Sequence, residues 1–257
     1  MTGEPEVLTG VAALGDRFVA RLGVPTGPGW LEVPELFGPA ALAAAASALG
    51  TTSPAVAAGV QFERYAQRLV APVLAALHRD HALLDPRPAR VRVLLEGGVL
   101  RRLAFAGAPE PLSGPAGEDA VLHRLLAGNL DPVADTLHRR ARAGRRVLRG
   151  AVANAVASAL LHMSWPRADR AAHVDDALAW LDRVPGWADL VEVRARRVGG
   201  EPWMYVRRRS CCLAFRTAVN RAREQPYCSS CPVLAPSTTA ALFERATAAY
   251  AAAHPRR

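Results

Sequence analysis

The 257-residue chain has no lysine: all 32 basic residues are arginine, set against 23 acidic residues for a net charge of +9. Part of that bias reads as GC-rich coding, and part falls into two clusters, Arg139 to Arg149 and Arg194 to Arg209. Such clusters suit nucleic acid, an anionic membrane surface, an acidic protein or an anionic ligand, and they also suit a solvated face. Aromatic residues make up only 6% and are not interleaved with the arginines, which counts against nucleic acid as a partner. No G-x-G-x-x-G or Walker loop is present, so no dinucleotide fingerprint points to a bound nicotinamide or flavin. Any electrons used here are expected from a separate carrier.

Charge is missing altogether from Leu36 to Phe62. Glycine, serine and proline at 50 to 54 interrupt that alanine-rich run, so two packed helices are expected instead of one membrane span: Gly50 ends the first, and Ser53-Pro54 caps and starts the second. Met1 to Gly10 carries Glu4 and Glu6 and no basic region leading into an apolar stretch, so a cytoplasmic location is expected. With 51% hydrophobic residues the chain can bury a real core.

The periodicity predicts mostly helices. Phe62, Tyr65, Ala66 and Leu69 form one apolar face within a helical region from about Pro39 to His81. Val147, Leu148, Ala151, Val152, Ala155, Val156, Ala159, Leu160 and Met163 form another, in a packing helix. Ser237 to Ala253 reads as a terminal helix behind a capping Ser/Thr run. Two hairpins are expected: Val91 to Phe105 around Gly97-Gly98, and Leu190 to Arg208 around Gly199-Gly200. The Pro/Gly-rich stretch Ala108 to Gly117 is the candidate boundary between residues 1–107 and 118–257, in a chain that also fits one compact domain. The expected class is α+β, mainly helical, with two short antiparallel hairpins and a C-terminal cysteine-ligated cluster segment at 190–235.

Only four cysteines occur, all inside twenty-one residues: the vicinal pair Cys211-Cys212, fifteen intervening residues, then Cys228-Ser229-Ser230-Cys231. Small core hydrophobes would scatter, so the clustering points to a shared ligand. Adjacent Cα atoms lie about 3.8 Å apart, below the disulfide window, which disfavours a bridge within the pair. Four thiolates suit tetrahedral zinc or a [2Fe-2S] cluster. Zinc sites usually take two separated C-x2-4-C knuckles, whereas a vicinal pair lacks the residues for that turn, so the spacing favours the wider two-iron target. Arg207, Arg208 and Arg209 precede the pair and favour thiolate over thiol.

Val206-Arg207-Arg208-Arg209-Ser210-Cys211-Cys212-Leu213-Ala214-Phe215-Arg216, followed by Cys228-Ser229-Ser230-Cys231-Pro232, resembles the C-terminal cluster motif of FhuF-like siderophore-iron reductases. Weaker likeness extends upstream, to Gln61-Phe62-Glu63-Arg64-Tyr65-Ala66 and to Arg146-Val147-Leu148-Arg149-Gly150-Ala151-Val152-Ala153. The chain departs from that pattern in its longer cysteine spacer and in lacking a middle-helix tryptophan near Leu148-Arg149-Gly150. The extra spacer residues are expected to bulge outward at Arg221 to Tyr227, at little entropic cost.

The resemblance implies a [2Fe-2S] cluster on Cys211, Cys212, Cys228 and Cys231, and one-electron reduction of a hydroxamate-type ferric siderophore in the cytoplasm. Ferric siderophore and a separate donor, a ferredoxin or flavoprotein reductase, are the expected partners, with Arg208 and Arg209 as docking residues. Peripheral association with the inner face of the cytoplasmic membrane is a further expectation, and nucleic acid is not expected. The rival readings are a zinc-stabilised, arginine-rich nucleic-acid binder and a non-catalytic iron-sulfur sensor or scaffold. His78 and His81, with Asp80 or Asp85, lack a metalloprotease pattern and read as solvent-facing. Asp175, Asp176, Asp182 and Asp189 read as helix-surface charge.

Overall fold

The computed structural model describes residue 8 and residues 10–112 and 116–254. Most of the N-terminal stretch at 1–10, and residues 113–115 of the expected Pro/Gly-rich connector, lie outside the described residues. The helices labelled here, in chain order, are α1 (Val33–Leu36), α2 (Pro39–Leu49), α3 (Pro54–Asp80), α4 (Ala116–Leu125), α5 (Asp131–Ala141), α6 (Arg145–Ser164), α7 (Val174–Asp182), α8 (Ala218–Arg221) and α9 (Pro236–Ala253). The strands are β1 (Ala20–Leu22), β2 (Trp30–Glu32), β3 (Ala82–Leu83), β4 (Val91–Glu96), β5 (Val99–Phe105), β6 (Glu110–Pro111), β7 (Val191–Val198) and β8 (Glu201–Arg208). The helical share is 54%, a mainly helical α+β fold.

The uncharged stretch divides as its punctuation predicts. Gly50 adopts a left-handed C-cap at φ 61°, and the Ser53 hydroxyl accepts the Val56 N–H at 3.4 Å to open α3 behind Pro54. The two helices meet at 94°, so the run does not form one straight span. Among the described residues α6 is long and apolar enough to cross a membrane, yet 78% of its apolar window is buried inside the protein. α6 packs along α3, and their shared face includes Phe62, Tyr65, Leu69, Val152, Val156 and Leu160. α9 begins at Pro236, without a side-chain cap; the proline at the first helical position takes the place of the expected Ser/Thr cap.

Both hairpins form. β4 and β5 join through Gly97 and Gly98, at φ 55° and 76°, and β7 and β8 join through Gly199 and Gly200, at φ 58° and 86°. Positive φ at both central positions gives the turn whose twist matches paired strands, which is why glycine occupies both. The first hairpin also recruits β1 in parallel beside β5 and β2 antiparallel beside β4, for a four-stranded sheet ordered β1-β5-β4-β2. Those three-residue edges and the β3–β6 pair are too short to show periodicity. β7 and β8 stay an isolated ribbon laid on α6, with Trp203, Met204, Tyr205 and Val206 buried.

The glycines of the first turn are not equivalent. A Cβ on Gly97 meets nothing within 4 Å, while one on Gly98 would lie 2.3 Å from the Ala44 carbonyl oxygen in α2. Gly97→Ala is therefore expected to cost about 1–2 kcal/mol, the left-handed penalty alone. Gly98→Ala should exceed it by about 1 kcal/mol or more, because backbone has to move. Urea unfolding of both variants checks this; equal losses would contradict the stated contact.

Candidate functional site

β8 carries the chain from the buried ribbon into the cysteines. The Arg208 N–H donates to the Ser230 carbonyl at 3.0 Å, so the end of β8 is tied to the C-x-x-C loop before the vicinal pair begins. Within that loop the Cys231 N–H closes on the Cys228 carbonyl at 3.0 Å. The fifteen-residue spacer folds back through a 3-10 turn at Ala214–Arg216 and the short α8, capped by Thr217, whose hydroxyl accepts the Asn220 N–H at 3.3 Å. Ala218 N–H donates to the Gly50 carbonyl at 3.2 Å, which pins the spacer to the α2–α3 corner. Residues 221–225 are all exposed, where the outward bulge was expected.

The four thiols come together. Cys212 and Cys231 are buried, Cys211 is half-buried and Cys228 is exposed. The four side chains lie near enough to perturb one another, Cys211 and Cys228 each interacting with both Cys212 and Cys231. Cys231 is the acceptor of the set: hydrogen bonds from Cys211 and then Cys228 lower its pKa to about 3, against the opposing effect of burial. Donation to Cys212 and Cys231, with burial, pushes the Cys228 thiol upward. Cys211 is drawn down by Cys212, but its donation to Cys231 and its burial carry it above the ordinary range. The Leu213 N–H also points at Cys211 Sγ, at 3.3 Å, and the Val233 N–H stabilises the Cys231 thiolate.

By donor chemistry alone, four cysteine sulfurs suit an iron-sulfur centre. Four sulfurs converge from two segments, backbone amides reach two of them, and one side of the set opens to solvent. Among the described residues no group of three or more His, Cys, Asp or Glu side chains is arranged so as to hold a metal ion.

Arg208 occupies a different place from the one expected of a docking residue. It is 2% exposed, and its Nη1 and Nη2 each donate to a Glu63 carboxylate oxygen at 2.8 Å, while Nε donates to the Ser210 carbonyl at 3.0 Å. Burial works against the guanidinium charge, but Glu63 and then Cys212 and Cys228 outweigh it and hold the pKa above its usual value. Arg208 is thus a buried brace with a charge that offsets thiolate, and it also lines the cleft beside Cys228. Arg209 is exposed beside the pair, with its N–H on the Leu190 carbonyl at 2.8 Å. Glu63 belongs to α3; Gln67 of the same helix and Asn154 of α6 also donate to its Oε1, at 2.6 and 3.2 Å.

Gly150 is the other anchor. A Cβ there would stand 1.6 Å from Ser210 Oγ and 2.5 Å from Ser210 Cβ, so α6 receives the residue preceding the cysteine pair against bare backbone. Sequence periodicity gave no sign of these partners: Glu63 sits among surface-type charges beside Phe62, and Gly150 sits in a run of small residues.

The discounted groups lie elsewhere. His78 is not solvent-facing: it is half-buried, its Nε2 has no partner, its ring is 5.9 Å from His173, and burial lowers its pKa. His81 is exposed, at a left-handed φ of 48° that ends α3. Asp176 binds His173 Nδ1 at 2.8 Å, and Asp175, Asp182 and Asp189 are exposed.

Removing one member of the Glu63–Arg208 pair leaves the other charge buried and unpaired. Glu63→Leu or Arg208→Met should each cost about 3–5 kcal/mol. The double variant should recover much of that loss in a chemical-denaturation cycle; additive losses would show that the pair does not act as a unit.

No curated protein is matched by the chain. Residues 62–196, just over half of its length and ending before the first cysteine, match a family model described as ferric iron reductase FhuF-like transporter. That span contains most of α3, with Glu63, all of α6, with Gly150, and most of β7, the framework that receives the cysteine segment, and the chain belongs to the FhuF-like ferric iron reductase family.

Proposed function

We propose that this family member reduces ferric iron carried in a siderophore, with a [2Fe-2S] centre held by Cys211, Cys212, Cys228 and Cys231. The observation that supports the reading is the gathering of all four cysteine side chains beside an open cleft that Cys228 lines. When bound, such a centre supplies a one-electron donor close to the protein surface.

The chain's own residues fit that task. Cys228, Ser229 and Ser230 line a cleft of about 300 Å³, together with Asn154 and His162 from α6, so a chelate seated there touches the exposed side of the thiol set. Cys212 and Cys231 turn the opposite side into the interior, away from water. Arg208 places a fixed positive charge beside the sulfurs and lowers the cost of gathering thiolates. Chelated Fe(III) gains one electron and becomes Fe(II), which hard oxygen donors hold less well, so the metal leaves and the chelator is freed. The electron originates in a separate carrier, a ferredoxin or flavoprotein reductase, in the cytoplasm; exposed Arg209 suits an acidic carrier, and Arg208 lines the cleft.

Two measurements test this. Anaerobically purified protein is expected to show visible absorption and, once reduced, an EPR signal, both lost in Cys228→Ser; a colourless protein with stoichiometric zinc would overturn the assignment. Mixing reduced protein with a ferric siderophore and a ferrous trap should yield one ferrous ion per stored electron. A reduced protein that keeps its electron would be a sensor or scaffold.

A further inference from the structure

Beside the cysteine cleft lies a second cavity, of about 480 Å³, lined by Arg17, Arg64, Arg68 and Arg101. Arg17, Gln67 and His162 line both, so the two spaces share a wall and adjoin. Their combined size is in the range of small-molecule sites.

Four guanidiniums around one concavity repel each other, and little acid answers them. Asp16 binds Arg68 at 2.9 Å, and Glu96 lies 3.7 Å from Arg101 in an exposed pair. Among the described residues Arg17 and Arg64 have no ion-pair partner, and Arg64 Nη1 is buried with no hydrogen-bond partner at all. Burial lowers the pKa of both; at Arg17 Arg68 adds to the effect while Glu63 and Asp16 oppose it, and at Arg64 Arg223, Arg101 and Arg68 all add to it. A buried donor left unsatisfied costs free energy, and a bound anion would relieve both penalties.

We infer that this arginine-lined cavity binds the peripheral anionic groups of the ferric chelate, so that the preferred substrate is a negatively charged siderophore of the carboxylate or catecholate class and not a neutral hydroxamate. The inference rests on the reading of the cysteine cleft as the place where ferric iron is reduced. A small chelate suits the site better than an acidic protein, because the four arginines line a concavity of about 480 Å³ and not a flat face.

The test uses holoprotein and redox-inert gallium(III) chelates, so binding is measured apart from electron transfer. Titration calorimetry compares trianionic gallium tris-catecholate and gallium citrate with a neutral gallium trihydroxamate, and the centre's visible spectrum is recorded on the same samples. The anionic chelates are expected to bind about tenfold or more tightly than the neutral one, with an affinity that falls as salt rises. Arg64→Gln should lose about tenfold for the anionic chelates, leave the trihydroxamate unchanged and keep the spectrum; Arg64→Lys should restore part of the loss. Equal affinity for all three chelates, salt-independent binding, or an arginine dependence seen only with an acidic protein donor would overturn the inference. With the spectrum intact, any of those outcomes leaves the reductase reading standing.

Discussion

The buried ion pair between Glu63 and Arg208 is the constraint on which the site depends. It joins residues 145 positions apart, one in the middle of the long helix and the other at the last residue of a ribbon, and it does so out of water. Taking two charges into an interior is costly, and here the cost is offset by geometry: two parallel bonds of 2.8 Å, with Gln67 and Asn154 using the remaining capacity of the carboxylate. Once Arg208 is fixed, its main chain fixes Ser230 and its Nε fixes Ser210, so both cysteine segments take their positions from one side chain.

Packing supplies the rest of the placement. Gly150 lets Ser210 approach α6 closely, and Gly50 accepts Ala218 at the α2–α3 corner; a Cβ at Gly50 would lie 2.7 Å from that of Ala218. The long spacer is therefore tethered close to its start and is free to project only at 221–225. The same helix, α3, that anchors the cysteines through Glu63 also presents Arg64 and Arg68 to the neighbouring cavity. Sulfur set, cleft and cationic wall are thus consequences of how one helix divides its faces.

Local signals were legible where a residue's neighbours in sequence are also its neighbours in space. The Gly-Gly turns, the break at Gly50 to Pro54 and the stripes of α3 and α6 all follow from dihedral preference or from the 3.6-residue period. The clustering of Cys211, Cys212, Cys228 and Cys231 was equally legible, because cysteine is rare in the chain and its spacing carries chemistry. What stayed hidden is tertiary. Nothing local separates the buried Arg208 from the exposed Arg209, or marks Glu63 as the one buried acid on a helix with polar neighbours. The edge strands β1 and β2 are three residues each, below the length at which alternation can be read, and the arginines of the second cavity gather from α3, β5 and the segment before β1.

The central claim is that the four sulfurs hold a two-iron centre. Mössbauer spectroscopy on anaerobically purified, iron-57-enriched protein, combined with metal-to-chain stoichiometry, addresses it directly. The account predicts two irons per chain in tetrahedral sulfur coordination, antiferromagnetically coupled when oxidised and with one localised ferrous site after one-electron reduction. A single metal ion per chain, or iron in oxygen and nitrogen coordination, would contradict it.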